Sequence, residues 1–329
     1  TSVGSIAGPK FFRNLKANAK SYVPIGILIV LIGGLATVVF ALIPGIGPAY
    51  ATGVLSGALT STPAFSASQG AVEAMRPEQL GLVSLGHAVA YPFGVIGVVL
   101  FVQIIPRLLK ADMNAERQLI SGNVAEQKAT TVSKKRFELD EYGFGAFGLS
   151  IVLGILLGAI KIPLSGQGFD GPCFSLGLTG GPLLMSLILG HFGHIGPVSM
   201  KVDEHALKCF REFGLMLFLV GAGVEGGVEL VHQIAASEYG IMLVVYGFIA
   251  GVLITLIPMI VGYIFARKIC KLPLLSTLGS ITGGMTSTPA LGTLISVAGT
   301  DDVAGAYAST YPMALVLIVF ACQIIGIVL

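Results

Sequence analysis

Two stretches of this chain put hydroxyls where an apolar sequence has no need of them. Gly57-Ala58-Leu59-Thr60-Ser61-Thr62-Pro63-Ala64 and Gly283-Gly284-Met285-Thr286-Ser287-Thr288-Pro289-Ala290 follow one pattern. The hydroxyls of Thr60, Ser61, Thr62, Thr286, Ser287 and Thr288 can donate to a carboxylate or accept from an ammonium or other cation. Pro63 and Pro289 suit the first turn of an outgoing helix. The N-terminus of such a helix aims free N–H groups and a partial positive charge at the polar tip, which favours an anion. A hydroxyl-rich kink that merely packs is the plain alternative for one copy, and two matched copies favour a binding site.

The elements that must hold these tips are set by composition. The chain has 329 residues, 54% of them hydrophobic and 11% charged, and its mean hydropathy is +0.88. A soluble domain carries about 25% charged residues, so too few remain here to cover a water-facing surface. An all-α integral membrane protein is expected. A net charge of +2 gives no reason to expect nucleic acid as a partner. Cys173, Cys209, Cys270 and Cys322 are scattered thiols, without CxxC or metal-ligand spacing. No metal or cofactor is expected, and the absence of a nucleophile–base constellation argues against an enzyme. No GxxxxGK[ST] loop is present, so transport would not be driven by ATP.

Apolar runs at 23–43, 80–105 (interrupted near Tyr91-Pro92), 142–160, 174–190, 212–231, 239–266 and 303–329 read as spans, and Pro163–Pro172 reads as a Gly/Pro loop. Thr1–Tyr22 reads as a basic amphipathic segment and 110–141 as a polar linker. Besides the twin motif, Tyr91-Pro92 matches Tyr311-Pro312, and Gln103-Ile104-Ile105 matches Gln323-Ile324-Ile325. Residues 1–109 form a first repeat, followed by the linker (110–141) and a second repeat (142–329). The first repeat is short by about three spans relative to the second, and the chain is expected to be an incomplete copy of a longer protein.

Loop charges give the sidedness. Lys10–Lys20 precede the first span and Pro44–Pro48 after it are uncharged. In the second repeat the order swaps: Glu225, Glu229 and Glu238 precede the matching span, and Arg267, Lys268 and Lys271 follow it. Basic loops stay cytoplasmic, so the repeats face opposite ways, as inverted-topology repeats do. The linker falls inside only if each Thr-Ser-Thr-Pro segment is a re-entrant hairpin. The expected plan is about five spans plus one hairpin per repeat. Tyr91 and Tyr311 would form a second wall of the site. Gln103 and Gln323 are candidate substrate contacts, with interhelical packing as the plain reading. His87 either faces a cavity or is a satisfied interior histidine. His191 and His194 read as surface residues.

The paired motifs, with Phe174–Leu183 and Phe213–Phe218, resemble the aspartate–alanine exchanger family. The resemblance implies a bacterial inner-membrane secondary transporter, with amino acids or dicarboxylates as substrates and the linker cytoplasmic. It also implies a large soluble regulatory domain between the halves, where this chain has only 107–141. An antiporter with an elevator-like motion, working as a homodimer, is the expectation by analogy. Rival readings are an ion-coupled dicarboxylate transporter or exporter, and a channel gated by a soluble domain.

Overall fold

The computed structural model describes residues 1–125, 137–160, 162–163, 173–174, 177–236, 240–300 and 302–329. The chain is mostly helical. The first half comprises α1 (Ser2–Ala41), α2 (Pro48–Ala58), α3 (Thr62–Met75), a 3₁₀ turn (Pro77–Gln79), α4 (Leu80–Leu108) and α5 (Met113–Ala125). The second half comprises α6 (Phe144–Gly158), α7 (Gly177–Phe192), α8 (Glu204–Ala236), α9 (Gly240–Lys268), α10 (Leu274–Gly284), α11 (Thr288–Ala298) and α12 (Val303–Val328).

Among the described residues, four helices are long and apolar enough to cross a membrane: residues Lys20–Ala41 of α1, Pro77–Leu108, Gly240–Lys268 and Val303–Val328. Several expectations need correction. Thr1–Tyr22 is not a separate segment before the first span, because α1 runs unbroken from Ser2 to Ala41. A change from polar to apolar composition is no helix-ending signal in itself. The spans expected at 142–160 and 174–190 are α6 and α7, of 15 and 16 residues, shorter than the roughly 20 residues a perpendicular crossing takes. Tyr91-Pro92 does not interrupt its span: α4 continues through Pro92.

The linker is also more than a linker. Its first part is α5, a 13-residue helix packed on α10. Its end, at Phe137, bridges to Val198. The helices are accompanied by two small antiparallel pairs. One joins β1 (Ile162–Pro163) to β2 (Cys173–Phe174), and the other joins β3 (His194–Ile195) to β4 (Val198–Ser199). Residues 126–136 of the linker and most of the Gly/Pro loop, 164–172, lie outside the described residues, as do Ser175 and Leu176 of the family-like motif. At the start of α6 the Asp140 carboxylate accepts the N–H groups of Gly145 (2.7 Å), Phe144 (2.7 Å) and Tyr142 (3.1 Å). These bonds, Gly145's foremost, hold Asp140 below the usual carboxylate range.

The two halves pack in matching pairs. Helix α2 lies against α4, and α10 against α12. Both contacts are made through a Gly-xxx-Gly pair, Gly53/Gly57 in α2 and Gly279/Gly283 in α10, a spacing that lets helix backbones touch. A methyl group added at Gly57 would lie 2.6 Å from the His87 carbonyl oxygen, and one at Gly283 would lie 2.6 Å from that of Tyr307. Helices α1 and α9 cross the core side by side and run antiparallel. Cys270, just past the end of α9, reaches the Ser21 carbonyl near the start of the apolar part of α1. At the other end Tyr50, beyond α1, donates to Leu243 near the start of α9 (2.9 Å).

Candidate functional site

Each Thr-Ser-Thr-Pro motif is the tip of a helical hairpin, α2–α3 or α10–α11. Helices α2, α10 and α11 have 11 residues each, about 16 Å at 1.5 Å per residue. That is near half the hydrocarbon thickness of a bilayer. The tips are built alike. The Thr60 N–H bonds the Gly57 carbonyl and the Ser61 N–H bonds that of Ser56; Thr286 and Ser287 do the same to Gly283 and Thr282. This is the Schellman pattern that closes a helix C-terminus, and it demands a left-handed residue. Glycine normally fills that position. Here Thr60 and Thr286 fill it, at φ +54° and +51°, a conformation that a β-branched side chain adopts only under strain.

What holds them there is the opposite tip. The Thr60 hydroxyl donates to the Met285 carbonyl (3.1 Å), and the Thr286 hydroxyl donates to the Leu59 carbonyl (2.7 Å). Leu59 and Met285 are the C-cap residues of α2 and α10, whose carbonyls are otherwise orphaned by the end of the helix. Each threonine therefore caps the helix of the other hairpin. Two hydroxyls expected to face substrate are, in this conformation, engaged between the tips.

The remaining hydroxyls are not equivalent. Ser61 is the N-cap of α3 and accepts the Ala64 N–H at 3.3 Å. Ser287, its counterpart at α11, makes no such cap bond, and its fully buried hydroxyl has no partner. Pro63 and Pro289 occupy the first turns of α3 and α11. Thr62 opens α3 half-buried. The Thr288 hydroxyl is 3.3 Å from that of Tyr307.

The walls differ as well. Tyr311 is buried and its ring stacks on Tyr307 at 5.0 Å. Tyr91 is buried with its ring 5.1 Å from His87. His87 is an interior residue whose Nδ1 lies 2.8 Å from the Ser56 hydroxyl, with Phe65 against its ring. Counting from the Tyr-Pro matches, His87 and Tyr307 hold equivalent places. Gln103 and Gln323 do not join the tips. Each lies twelve residues beyond its Tyr-Pro tyrosine, about 18 Å further along a helix. Gln103 is half-buried, and Gln323 is buried with its Oε1 unpartnered. Sequence reading missed Tyr307, the carbonyls of Leu59 and Met285, and the linker contacts of Glu116 and Arg117. Carbonyls carry no residue signature, and Tyr307 could have been found by extending the Tyr-Pro match one helical turn back.

A family model described as a predicted permease membrane region matches residues 1–107 and 146–327. An uncharacterized transporter of Bacteroides fragilis is 24% identical over 480 residues, covering 99% of this chain and 87% of the relative. That alignment is longer than the 329 residues here, so the relative carries insertions without counterpart in this chain. An uncharacterized transporter of Bacteroides thetaiotaomicron is 37% identical over 189 residues, 57% of this chain and 34% of the relative. One of Rhodopirellula baltica is 40% identical over 173 residues, 53% of this chain and 31% of the relative. These two matches span about a third of the relatives' own length. No solved structure matches the chain. With the family model covering both halves and the broken-helix tips lying within it, this chain belongs to the aspartate–alanine exchanger family of permeases.

Proposed function

We propose that this chain is a secondary transporter that exchanges small carboxylates or amino acids across a bacterial inner membrane. The observation that carries the reading is the reciprocal tip contact, Thr60 to Met285 and Thr286 to Leu59. Polar backbone at membrane depth is tolerated only where protein or a cavity covers it. Here two half-length hairpins cover one another's tips and bring the N-termini of α3 and α11 to the same place. Those termini favour an anion, and the unpartnered Ser287 hydroxyl supplies a donor beside one of them. A substrate carboxylate is read as seated there, at the Ser287 tip.

The repeats are read as inverted in topology. Supporting this, α1 and α9 are antiparallel, and Lys20 at the start of one span lies on the same side as Arg267 and Lys268 at the end of the other. Arg107 ends α4 on that side too, because α5 follows it directly and reaches the start of α10. Lys and Arg mark the cytoplasmic face, so the linker is cytoplasmic in this reading. The extra residues of the longer relative are read as a soluble domain inserted within residues 108–145, which the family model leaves unmatched. An elevator-like motion of the hairpins with α4 and α12, in a homodimer, completes the reading by analogy with transporters built this way.

Counterflow in proteoliposomes tests it. Labelled L-aspartate outside is expected to enter only when unlabelled aspartate, alanine or a dicarboxylate is inside. Uptake driven by an ion gradient with empty vesicles would instead identify an ion-coupled carrier. Single-channel currents above carrier rates would overturn both in favour of a channel.

A further inference from the structure

The two hairpins meet symmetrically at their tips, yet they are held differently at their bases. The base of α10–α11 is gripped by α5. The Glu116 carboxylate accepts the Leu274 N–H, at the first residue of α10, at 2.9 Å. The adjacent Arg117 donates through Nε to the carbonyl of Ala298, the last residue of α11, at 2.5 Å. Two neighbouring side chains thus cap the entry and the exit of one hairpin, so both of its ends open on one side. Each charge suits its helix end: a carboxylate at an N-terminus, a guanidinium at a C-terminus.

The grip is built, not incidental. Arg117 Nη1 also donates to Asn114 Oδ1 at 3.0 Å, which fixes the guanidinium. Gly299, left-handed at φ +64°, leaves room for it: a methyl group there would lie 2.7 Å from Arg117 Nη2. One turn on, Ile120 is buried in the same apolar cluster as Leu274, Leu278, Leu291 and Ala298. The base of α2–α3 has no counterpart among the described residues. Helix α2 begins at Pro48 behind Gly47, an N-cap that makes no side-chain bond, and α3 ends at Met75 with the backbone N–H of its C-cap, Arg76, on the Val72 carbonyl.

We propose that α5 is a clasp on the second hairpin, with Glu116 and Arg117 as positioning residues that set whether this hairpin opens on the basic face. The proposal rests on the transport reading above for its consequence, but the clasp itself does not depend on any substrate. The residues after α5 lie in the stretch that the family model leaves unmatched. A pull on that segment would therefore act on both ends of α10–α11 at once and reach α2–α3 only through the tips. Control of transport from the soluble side would pass through these two side chains.

The test uses the full chain in lipid, with the variants Glu116→Gln and Arg117→Gln, and Arg117→Lys as the conservative one. Backbone hydrogen exchange is read first, without substrate. Exchange in α10 and α11 is expected to speed up tenfold or more in both Gln variants, with α2 and α3 unchanged and Arg117→Lys restoring part of the protection. Equal acceleration in both hairpins, or none in α10–α11, overturns the clasp. L-Aspartate counterflow is read second. The Gln variants are expected to change kcat at least fivefold while KM moves less than twofold, since the clasp touches no substrate. A KM change with kcat unaltered overturns the positioning role. A third measurement covers variants that fold poorly: Glu116→Cys with Leu274→Cys, joined by a short thiol-cleavable cross-linker, is expected to stop counterflow until the link is cleaved. Unchanged counterflow in the linked protein overturns the proposal. Absence of aspartate counterflow in the parent chain would count against the transport reading, and hydrogen exchange would still decide the clasp.

Discussion

Ser61 and Ser287 hold the same place in twin motifs and do different work. Ser61 caps α3 through Ala64, so Ser61→Ala removes an N-cap worth about 1 kcal/mol. Ser287 caps nothing and is buried without a partner, so Ser287→Ala relieves a desolvated hydroxyl at little cost. Thermal unfolding in detergent is expected to show a lower melting temperature for Ser61→Ala and an unchanged or higher one for Ser287→Ala. The ranking reverses for ligand. A ligand that binds only the folded state raises its melting temperature, and that rise is expected to shrink in Ser287→Ala far more than in Ser61→Ala. Similar loss of the ligand shift in both would place the carboxylate elsewhere. Thr60 and Thr286 show why hydroxyl-rich tips are not all substrate contacts. Left-handed threonines cost about 1–3 kcal/mol each, and their cross-tip bonds return part of it only while the tips stay together. Separating the tips loses the bonds and keeps the strain, so the observed state is the one in which the two hairpins are closed on each other.

At the scale of elements, each hairpin is locked to the long helix that follows it by backbone contact through glycines. Gly57→Ala is the direct probe. The added methyl would meet the His87 carbonyl at 2.6 Å, and backbone cannot yield as a side-chain tip does. Overpacking of this kind costs about 1–3 kcal/mol, so the melting temperature is expected to fall. Gly70→Ala, in α3, is the control, because nothing lies within 4 Å of a methyl there. Alanine is the better helix former by up to about 1 kcal/mol, so this variant is expected to be as stable as the parent or more so. Equal destabilisation by both would mean that the α2–α4 approach is looser than its geometry implies. The clasp by α5 belongs to the same scale, and it adds a difference at the bases of the two hairpins to those at their tips.

Over the whole molecule, the reading turns on sidedness. Arg107 and Lys268 are exposed at the ends of α4 and α9, and Pro44 is exposed between α1 and α2. In a background with the native cysteines replaced, Arg107→Cys and Lys268→Cys are expected to react with an impermeant thiol reagent only from the cytoplasmic side. Pro44→Cys is expected to react only from the other. Labelling of all three from one side would end the inverted-repeat reading.

Much of this was legible in local residue pattern. Membrane class follows from composition, because a chain with so few charges has no way to cover itself in water. The twin motifs announce the two hairpin tips, and the Pro after each Thr-Ser-Thr announces the outgoing helix. Helix continuity is not legible where polarity changes without a stop signal, as at Tyr22, and α5 lies in a segment that reads as polar linker. Tertiary structure alone decided that the tips meet. The bonds between them join residues 225 and 227 apart in sequence, and they end on main-chain carbonyls that no side-chain pattern encodes. It alone separated Ser287 from Ser61, since whether a hydroxyl finds a partner depends on the packed geometry around it and not on its residue type. It alone brought Glu116 and Arg117 to the two ends of one hairpin. Residue types determine which groups can bond; only the packed chain determines which of them do.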